Sequence, residues 1–433
     1  MILFDNITLI NHDGTVEPHA YVGVEGAQIA FVGKERPAGS FERVITGCGR
    51  ILLPGFYNAH AHSPMTLMRG YGENLKLDRW LNDRIFPYEA ELTGEAVYRA
   101  TKLALAESFR SGIVSSSDMY YFCDDMIRAA SETGAKMNVA RALVMFDDRA
   151  DPAADKRYNE ALYTYKHFHG RDEGRILVDY ALHAEYTSTP ALVSAIASLA
   201  KETGTRVQVH VSETRAEHEE CKARHEGKTP VQYLADLGLF DTPAVCAHCV
   251  WVEDEDRVIM REKGATAVSC PVSNLKLASG VCDVPALFAA GVPVAIGTDS
   301  VASNNSLNFI EEMKFFALLN KERHGDPTAV TPAETLFAAT RAGALCQGRA
   351  DCGMIAEGCR ADIILIDASG PHMTPVYDAC TNVVYSASGG DVCLTMIDGR
   401  IVYENGEYMT MDIEKVKAEA AESAYAIAEE VNG

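Results

Sequence analysis

His60-Ala61-His62 follows the apolar run Ile51-Leu52-Leu53-Pro54-Gly55. Side chains two apart on a strand share one face, so two imidazoles at this spacing can grip one divalent ion. A lone His-x-His occurs by chance in many chains. Three later segments repeat the theme of a metal-competent side chain ending a short apolar run: Val207-Gln208-Val209-His210, Val245-Cys246-Ala247-His248 and Ala295-Ile296-Gly297-Thr298-Asp299. Taken singly, each His is more simply a hydrogen-bonded core residue and Asp299 a helix cap. Taken together, residues at equivalent strand ends form a rim. His60, His62, His210 and Asp299 would supply three nitrogens and one oxygen and leave a position for water, as a catalytic site requires. One divalent metal is expected, zinc first, with iron(II), manganese or nickel also suited to such donors. Zinc in such a setting ionises a water near pH 7.

Glu213 lies three residues past His210, where the strand should turn over the pocket. A carboxylate there is expected to be the general acid/base, taking a proton from the attacking water and passing it to a ring nitrogen of the substrate. Asp299, bound through one oxygen, would accept a hydrogen bond from the same water. His248 would steady the water or the developing charge, with direct metal binding and simple packing as its alternatives. Cys246-Ala247-His248-Cys249 has the spacing of a zinc thiolate pair but lacks a second pair.

These residues need a scaffold that brings distant strand ends together. Eight strand candidates are legible: Ile51 to Tyr57, Gly112 to Ser117, Met137 to Val144, Ile176 to His183, Val207 to Val211, Ala244 to His248, Ala265 to Cys270 and Val292 to Thr298. Between them run amphipathic stretches such as Glu95 to Arg110, Thr189 to Thr203 and Asp254 to Lys263. Alternating βα units predict an α/β fold with a closed but distorted (β/α)8 TIM barrel, whose strand C-termini converge on one face. The two ends read differently. Ile2 to Ile10, Tyr21 to Val24 and Gln28 to Val32 near the start, and Asp362 to Ile366, Val383 to Tyr385 and Leu394 to Tyr403 near the end, are short β runs. A small composite β-sandwich built from both termini is the economical reading, since few strands on either side could stand alone. The expected divisions are 1–56 and 355–410 for that unit, 57–354 for the barrel and 411–433 for a terminal helix over Ile413 to Val431.

With 433 residues and 47% hydrophobic content, the chain can bury one large core and a smaller one. A formal charge of -22 argues against nucleic acid or an anionic membrane as partner, because both are bound through Lys and Arg. Met1-Ile2-Leu3-Phe4-Asp5-Asn6 has no basic start or long apolar stretch, so a cytoplasmic enzyme with a small-molecule substrate is expected. The twelve cysteines are expected to be reduced core thiols. Self-association as a homo-oligomer is the prior for such enzymes.

Five segments carry a resemblance: Pro54-Gly55-Phe56-Tyr57-Asn58-Ala59-His60-Ala61-His62, Met68-Arg69-Gly70, Ala247-His248-Cys249, Asn274-Leu275-Lys276-Leu277-Ala278-Ser279-Gly280 and Gly297-Thr298-Asp299-Ser300-Val301-Ala302-Ser303-Asn304-Asn305. Over nearly its full length the chain resembles the amidohydrolase superfamily, in the branch of methylthioadenosine and S-adenosylhomocysteine deaminases. The resemblance implies one divalent metal and hydrolytic loss of ammonia from the adenine ring of a nucleoside, giving inosine derivatives. It also implies that Trp80 faces the substrate, that Glu89 holds ribose hydroxyls, that His183 contacts base or ribose, and that Ser303 stands beside the pocket. Without the resemblance, Glu89 reads as a solvated loop charge, and His183 and Ser303 as ordinary hydrogen-bonded residues.

Two positions depart from the family pattern. Leu182-His183-Ala184-Glu185-Tyr186 has Glu185 where a proline is usual. The Arg implied shortly after the third strand is replaced near Phe146, which leaves Arg157, with Arg141, as the nearby candidate for a substrate contact. That departure favours neutral 5'-substituted adenosines over S-adenosylhomocysteine, whose carboxylate an Arg would bind. Other readings fit the same residues: a related amidohydrolase deaminating or dechlorinating a free purine, pyrimidine or triazine ring, a barrel without catalysis, and a two-metal site in which Glu185 replaces a bridging group.

Overall fold

A computed structural model describes residues 1–432; the last residue of the 411–433 segment lies outside it. Eight parallel strands run in sequence order around the barrel: Phe56–Ala61, Ile113–Tyr120, Lys136–Leu143, Ile176–Ala184, Val207–Val211, Ala244–His248, Thr266–Ser269 and Val294–Ile296. The seam between the last and the first is held by little backbone pairing. Ala61 bridges Asp299, and the Asp299 N–H donates to His60 O at 3.0 Å. Asn58 stitches the same seam with its side chain, accepting from Thr298 N at 3.0 Å and donating to Thr298 Oγ1 at 2.7 Å. The distortion of the barrel therefore falls where Asp299 meets the His60 strand.

Local chemistry explains the helices between strands. Thr93 caps Gly94–Arg110 by accepting from Ala96 N, and Thr189 caps Pro190–Thr203 by accepting from Leu192 N, with proline at the first helical position. Their apolar stripes pack onto the barrel; Val97, Ala100 and Ala104 of the first, and Leu192, Val193 and Ile196 of the second, are buried. No helix among the described residues is long and apolar enough to cross a membrane.

The second sheet has nine strands drawn from both ends of the chain. Arg50–Pro54 pairs antiparallel with Ile363–Asp367, which joins the N-terminal strands to Val392–Ile397 and Arg400–Glu404. Phe4, Ile7, Val22, Leu52, Ile363 and Leu394 share its buried core.

Three expectations change at this level. The run Ile51 to Tyr57 is two strands: Arg50–Pro54 belongs to the composite sheet and Phe56–Ala61 opens the barrel. Gly55 is the pivot, where a Cβ would stand 2.3 Å from Val114 Cγ1. Val383 to Tyr385 is not a strand but part of the helix Ala379–Tyr385. Asp378 caps it by accepting from Thr381 N, and its buried Ala379, Cys380, Val383 and Val384 outweigh the β preference of three residues. Leu394 to Tyr403 is a hairpin of Val392–Ile397 and Arg400–Glu404 turning at Asp398-Gly399.

Candidate metal centre and substrate cleft

Each candidate ligand sits at or just past a strand C-terminus, so parallel strands of a barrel aim them at one centre. His62 Nε2 lies 3.3 Å from Asp299 Oδ1, His60 Nε2 3.7 Å from the same oxygen, and His210 Nε2 3.3 Å from His62 Nε2. Four ligands at metal bond lengths near 2.0–2.1 Å have tetrahedral edges of about 3.3 Å, so the spacing fits one ion. His60 Nε2 is buried and has no hydrogen-bond partner, a cost that a cation would remove.

The opposite ring nitrogens are occupied, which fixes the tautomers. His62 Nδ1–H donates to Met119 O at 2.6 Å, and His210 Nδ1–H to His183 O at 2.5 Å. That turns the Nε2 atoms of both rings toward the centre. Burial, then the neighbouring imidazoles, push His60 and His210 well below the usual histidine range, so both are neutral donors. Burial works against a charged His62 as well, but its hydrogen bond to Asp299 wins and holds it at about 8. Burial pushes the Asp299 carboxyl up; His62, with His248 and His60, overrides it and keeps the carboxylate ionised. Asp299 Oδ2 faces away from the imidazoles and accepts from Ser273 Oγ at 2.5 Å and Ser303 Oγ at 2.9 Å.

The backbone is strained at this rim. Ser212, His248 and Asp299 have φ of 49°, 74° and 60°, a region that such residues enter only when their surroundings impose it. Gly297 permits the close approach of the last strand, since a Cβ there would lie 2.8 Å from His60 Cβ.

Glu213 stands beside the centre, accepting from Ser279 Oγ at 3.2 Å, with Oε2 3.7 Å from His248 Nε2. Burial raises its carboxyl above the usual range, which brings its two protonation states closer in energy at neutral pH. Glu217 holds the turn beneath it, accepting from Ser212 N at 2.8 Å and Glu213 N at 2.7 Å; burial and the Glu213 charge push Glu217 to about 7. His248 Nδ1–H donates to Asn274 Oδ1 at 2.9 Å, which turns its Nε2 toward Glu213.

A cleft opens over these groups. Trp80, Glu89, His183, Glu213, His248, Asp299 and Ser303 line it together with His62 and His210, while His60 lies beneath. Tyr120 donates to Glu89 Oε1 at 2.7 Å. His183, near Thr187 Oγ1 at 3.1 Å, is held at about 4 by burial and the His62 charge. Arg157 is the exception among the sequence candidates. It does not line the cleft; its Nη2 is 2.6 Å from Asp155 Oδ2, because Asp155 caps the helix Lys156–Phe168 by accepting from Arg157 N. Arg141 is likewise committed, to Glu160 at 2.9 Å and Ala142 O at 2.6 Å.

Glu185 turns away from the ligand cluster and pairs with Arg224 at 2.6 Å and His225 at 2.7 Å, so its charge is already balanced. Cys246 and Cys249 are buried thiols, and all twelve cysteines are unpaired. Sequence reasoning missed Tyr120, Tyr121 and Tyr186, which line the cleft, and Ser273 and Asn274, which orient Asp299 and His248. The tyrosines had a signal in their positions at or just past two strand ends.

The sequence profile of the amidohydrolase family matches residues 51–402, which include every residue of the centre. The chain belongs to the amidohydrolase family. Among amidohydrolases, it is 38% identical over 428 residues to a 5-methylthioadenosine/S-adenosylhomocysteine deaminase of Syntrophomonas wolfei, covering 98% of each chain. It is 40% identical to a 5'-deoxyadenosine deaminase of Methanothermobacter thermautotrophicus over 93% of each. An adenosine deaminase from Xanthomonas campestris, solved with bound zinc, superposes with a TM-score of 0.92 at 31% identity, covering 99% of this chain and 98% of that one.

Proposed function

We propose that this amidohydrolase is a zinc-dependent deaminase of adenosine derivatives, replacing the 6-amino group with oxygen and releasing ammonia. The observation that carries the reading is the convergence of His60, His62, His210 and Asp299, linked by contacts of 3.3 to 3.7 Å, with the Glu213 carboxyl and His248 beside them. His60, His62, His210 and Asp299 would hold the ion, which supplies Lewis acidity that makes a water nucleophilic near neutral pH. Glu213 takes the proton of the attacking water and delivers it to the purine ring nitrogen next to the amino-bearing carbon. His248, oriented by Asn274, stabilises the charge that develops on the incoming oxygen. Trp80 offers an apolar face to the base, and Glu89, oriented by Tyr120, accepts from vicinal ribose hydroxyls.

No Lys or Arg lines the cleft among the described residues. Met65, Leu81, Ile85 and Phe86 contribute apolar wall instead. With Arg141 and Arg157 both paired elsewhere, a neutral 5' substituent is favoured over an amino-acid tail, whose carboxylate would be buried without a partner. The test is ammonia release by the zinc-loaded protein from adenosine, 5'-deoxyadenosine, methylthioadenosine, S-adenosylhomocysteine, guanine and cytosine. Turnover of the uncharged nucleosides, with kcat/KM at least about ten-fold above S-adenosylhomocysteine, is expected. No ammonia from any nucleoside would refute the assignment.

A further inference from the structure

Glu312 has no place in the chemistry above, yet it is a 1% exposed carboxyl among the residues that support Asp299. It stands in the first turn of the helix Phe309–His324. One of its oxygens accepts from Val272 N at 3.3 Å. That N–H lies in the first turn of the helix Pro271–Lys276, where the intrahelical ladder leaves donors without partners. Its other oxygen accepts from Asn304 Nδ2, and the same amide donates to Thr298 O at 2.8 Å.

The neighbours of these two contacts give them significance. Val272 precedes Ser273, and Asn304 follows Ser303. Ser273 and Ser303 are the hydroxyls that donate to Asp299 Oδ2, at 2.5 and 2.9 Å, and they lie 2.8 Å from each other. Each oxygen of Glu312 thus fixes the residue next to one of the two serines that aim Asp299. The seam of the barrel has little backbone pairing here, and Asp299 itself sits at φ 60°, so the orientation of its carboxylate needs support from outside the strand.

We infer that Glu312 is a positioning residue for Asp299, acting through Val272–Ser273 and Asn304–Ser303 to hold Oδ1 toward the three imidazoles. The inference rests on the reading of Asp299 as a metal ligand. Groups that orient a ligand without touching the ion influence affinity by about ten- to a hundred-fold, and a 1 Å drift of a ligand oxygen is enough to be felt.

The experiment compares the full-length wild type with Glu312→Gln, Asn304→Ala, Asp299→Asn and the exposed neighbour Glu311→Gln. Zinc affinity is measured by competition with a chromogenic chelator, the visible spectrum is recorded after loading with cobalt(II), and kcat and KM are separated on the best nucleoside. Glu312→Gln keeps the side-chain volume but presents an amide donor to one of two N–H groups. It is expected to weaken zinc binding about ten-fold, alter the cobalt spectrum and lower kcat with KM within about two-fold, whereas Glu311→Gln changes none of these. Asn304→Ala breaks one arm with the carboxyl intact and shifts the same readouts in the same direction. It decides the matter if thermal melts show that Glu312→Gln does not fold. Wild-type affinity and cobalt spectra in both Glu312→Gln and Asn304→Ala, with metal lost in Asp299→Asn, would overturn the inference and leave the metal centre standing. A wild type that takes up no zinc, indistinguishable from Asp299→Asn, would overturn both.

Discussion

The barrel buries carboxylates at both of its ends and balances them in opposite ways. At the strand N-termini, Lys136 stands 2.7 Å from Asp398 Oδ1 and bonds Asp362, which also accepts from Tyr57 OH. The lysine is 2% and the Asp362 side chain 0% exposed. Burial pushes the Lys136 ammonium down, but Asp362 and Asp398 override it and its pKa rises above the ordinary lysine value. This end carries its own cation and joins the barrel to the composite sheet, since Asp362 and Asp398 belong to the chain segment that forms that sheet. At the strand C-termini, Asp299 is surrounded by imidazoles, and His60 Nε2 has no hydrogen-bond partner. That end is built to import its cation. A fixed ammonium gives stability and no chemistry, because its donors are spent; an exchangeable ion keeps a coordination position for water.

Removing each cation should separate the two ends. Stripping the C-terminal end with a chelator is expected to abolish ammonia release and zinc to restore it, while His60→Ala should lose both activity and stoichiometric zinc; activity that survives complete metal removal would erase the contrast. Glu213→Gln should lower kcat by about 10²- to 10⁴-fold with zinc content unchanged, which metal analysis beside steady-state kinetics would check. At the other end, Lys136→Met should cost about 3–5 kcal/mol in urea unfolding by leaving two buried carboxylates unbalanced, with the zinc content of the folded protein intact. Glu89→Ala is expected to raise KM for nucleosides about ten-fold or more with a smaller change in kcat; an unchanged KM would point to a free base as substrate.

The pH dependence of the Lys136 cluster is smaller and has a definite sign. The folded pKa of Asp362 is depressed, chiefly by Lys136 against the effect of burial, so its contribution is complete above the unfolded value near 4 and fades as pH falls through the folded one. Lys136 has a raised folded pKa, so its contribution is complete below roughly 10.5 and fades as pH climbs past the folded value. The contribution of this pair to wild-type stability should therefore be flat from about pH 5 to 9 and shrink below about pH 4. Lys136→Met, whose buried carboxyls lose the cation that held their pKa down, should instead regain stability relative to wild type as pH falls, as urea unfolding across pH would show.

Local sequence was informative wherever the controlling physics is local. Strand alternation and short apolar runs placed His60, His62, His210, His248 and Asp299 at strand ends, and the structure puts them there. Val383 to Tyr385 misled because three β-branched or aromatic residues are too few to outweigh a cap at Asp378 and a buried helical face. Arg157 looked available from its position after the third strand, but Asp155, two residues earlier, takes it. Ser273 and Asn274 lay within a motif that carried the resemblance, yet nothing in that motif reveals which side chain they serve.

By itself, then, the sequence determined the identity and spacing of the donor groups, the alternation of strand and helix, and the assembly of a second sheet from both termini. Period, capping and turn preferences act over a few residues and can be read along the chain. Only the tertiary structure decided which nitrogen stays unpartnered, which arginines are already paired, and that Glu312 bonds Val272 and Asn304, the residues beside the two serines behind Asp299. The centre joins residues as remote in the chain as His60 and Asp299, and burial strengthens or neutralises each charge only after the barrel has closed around it.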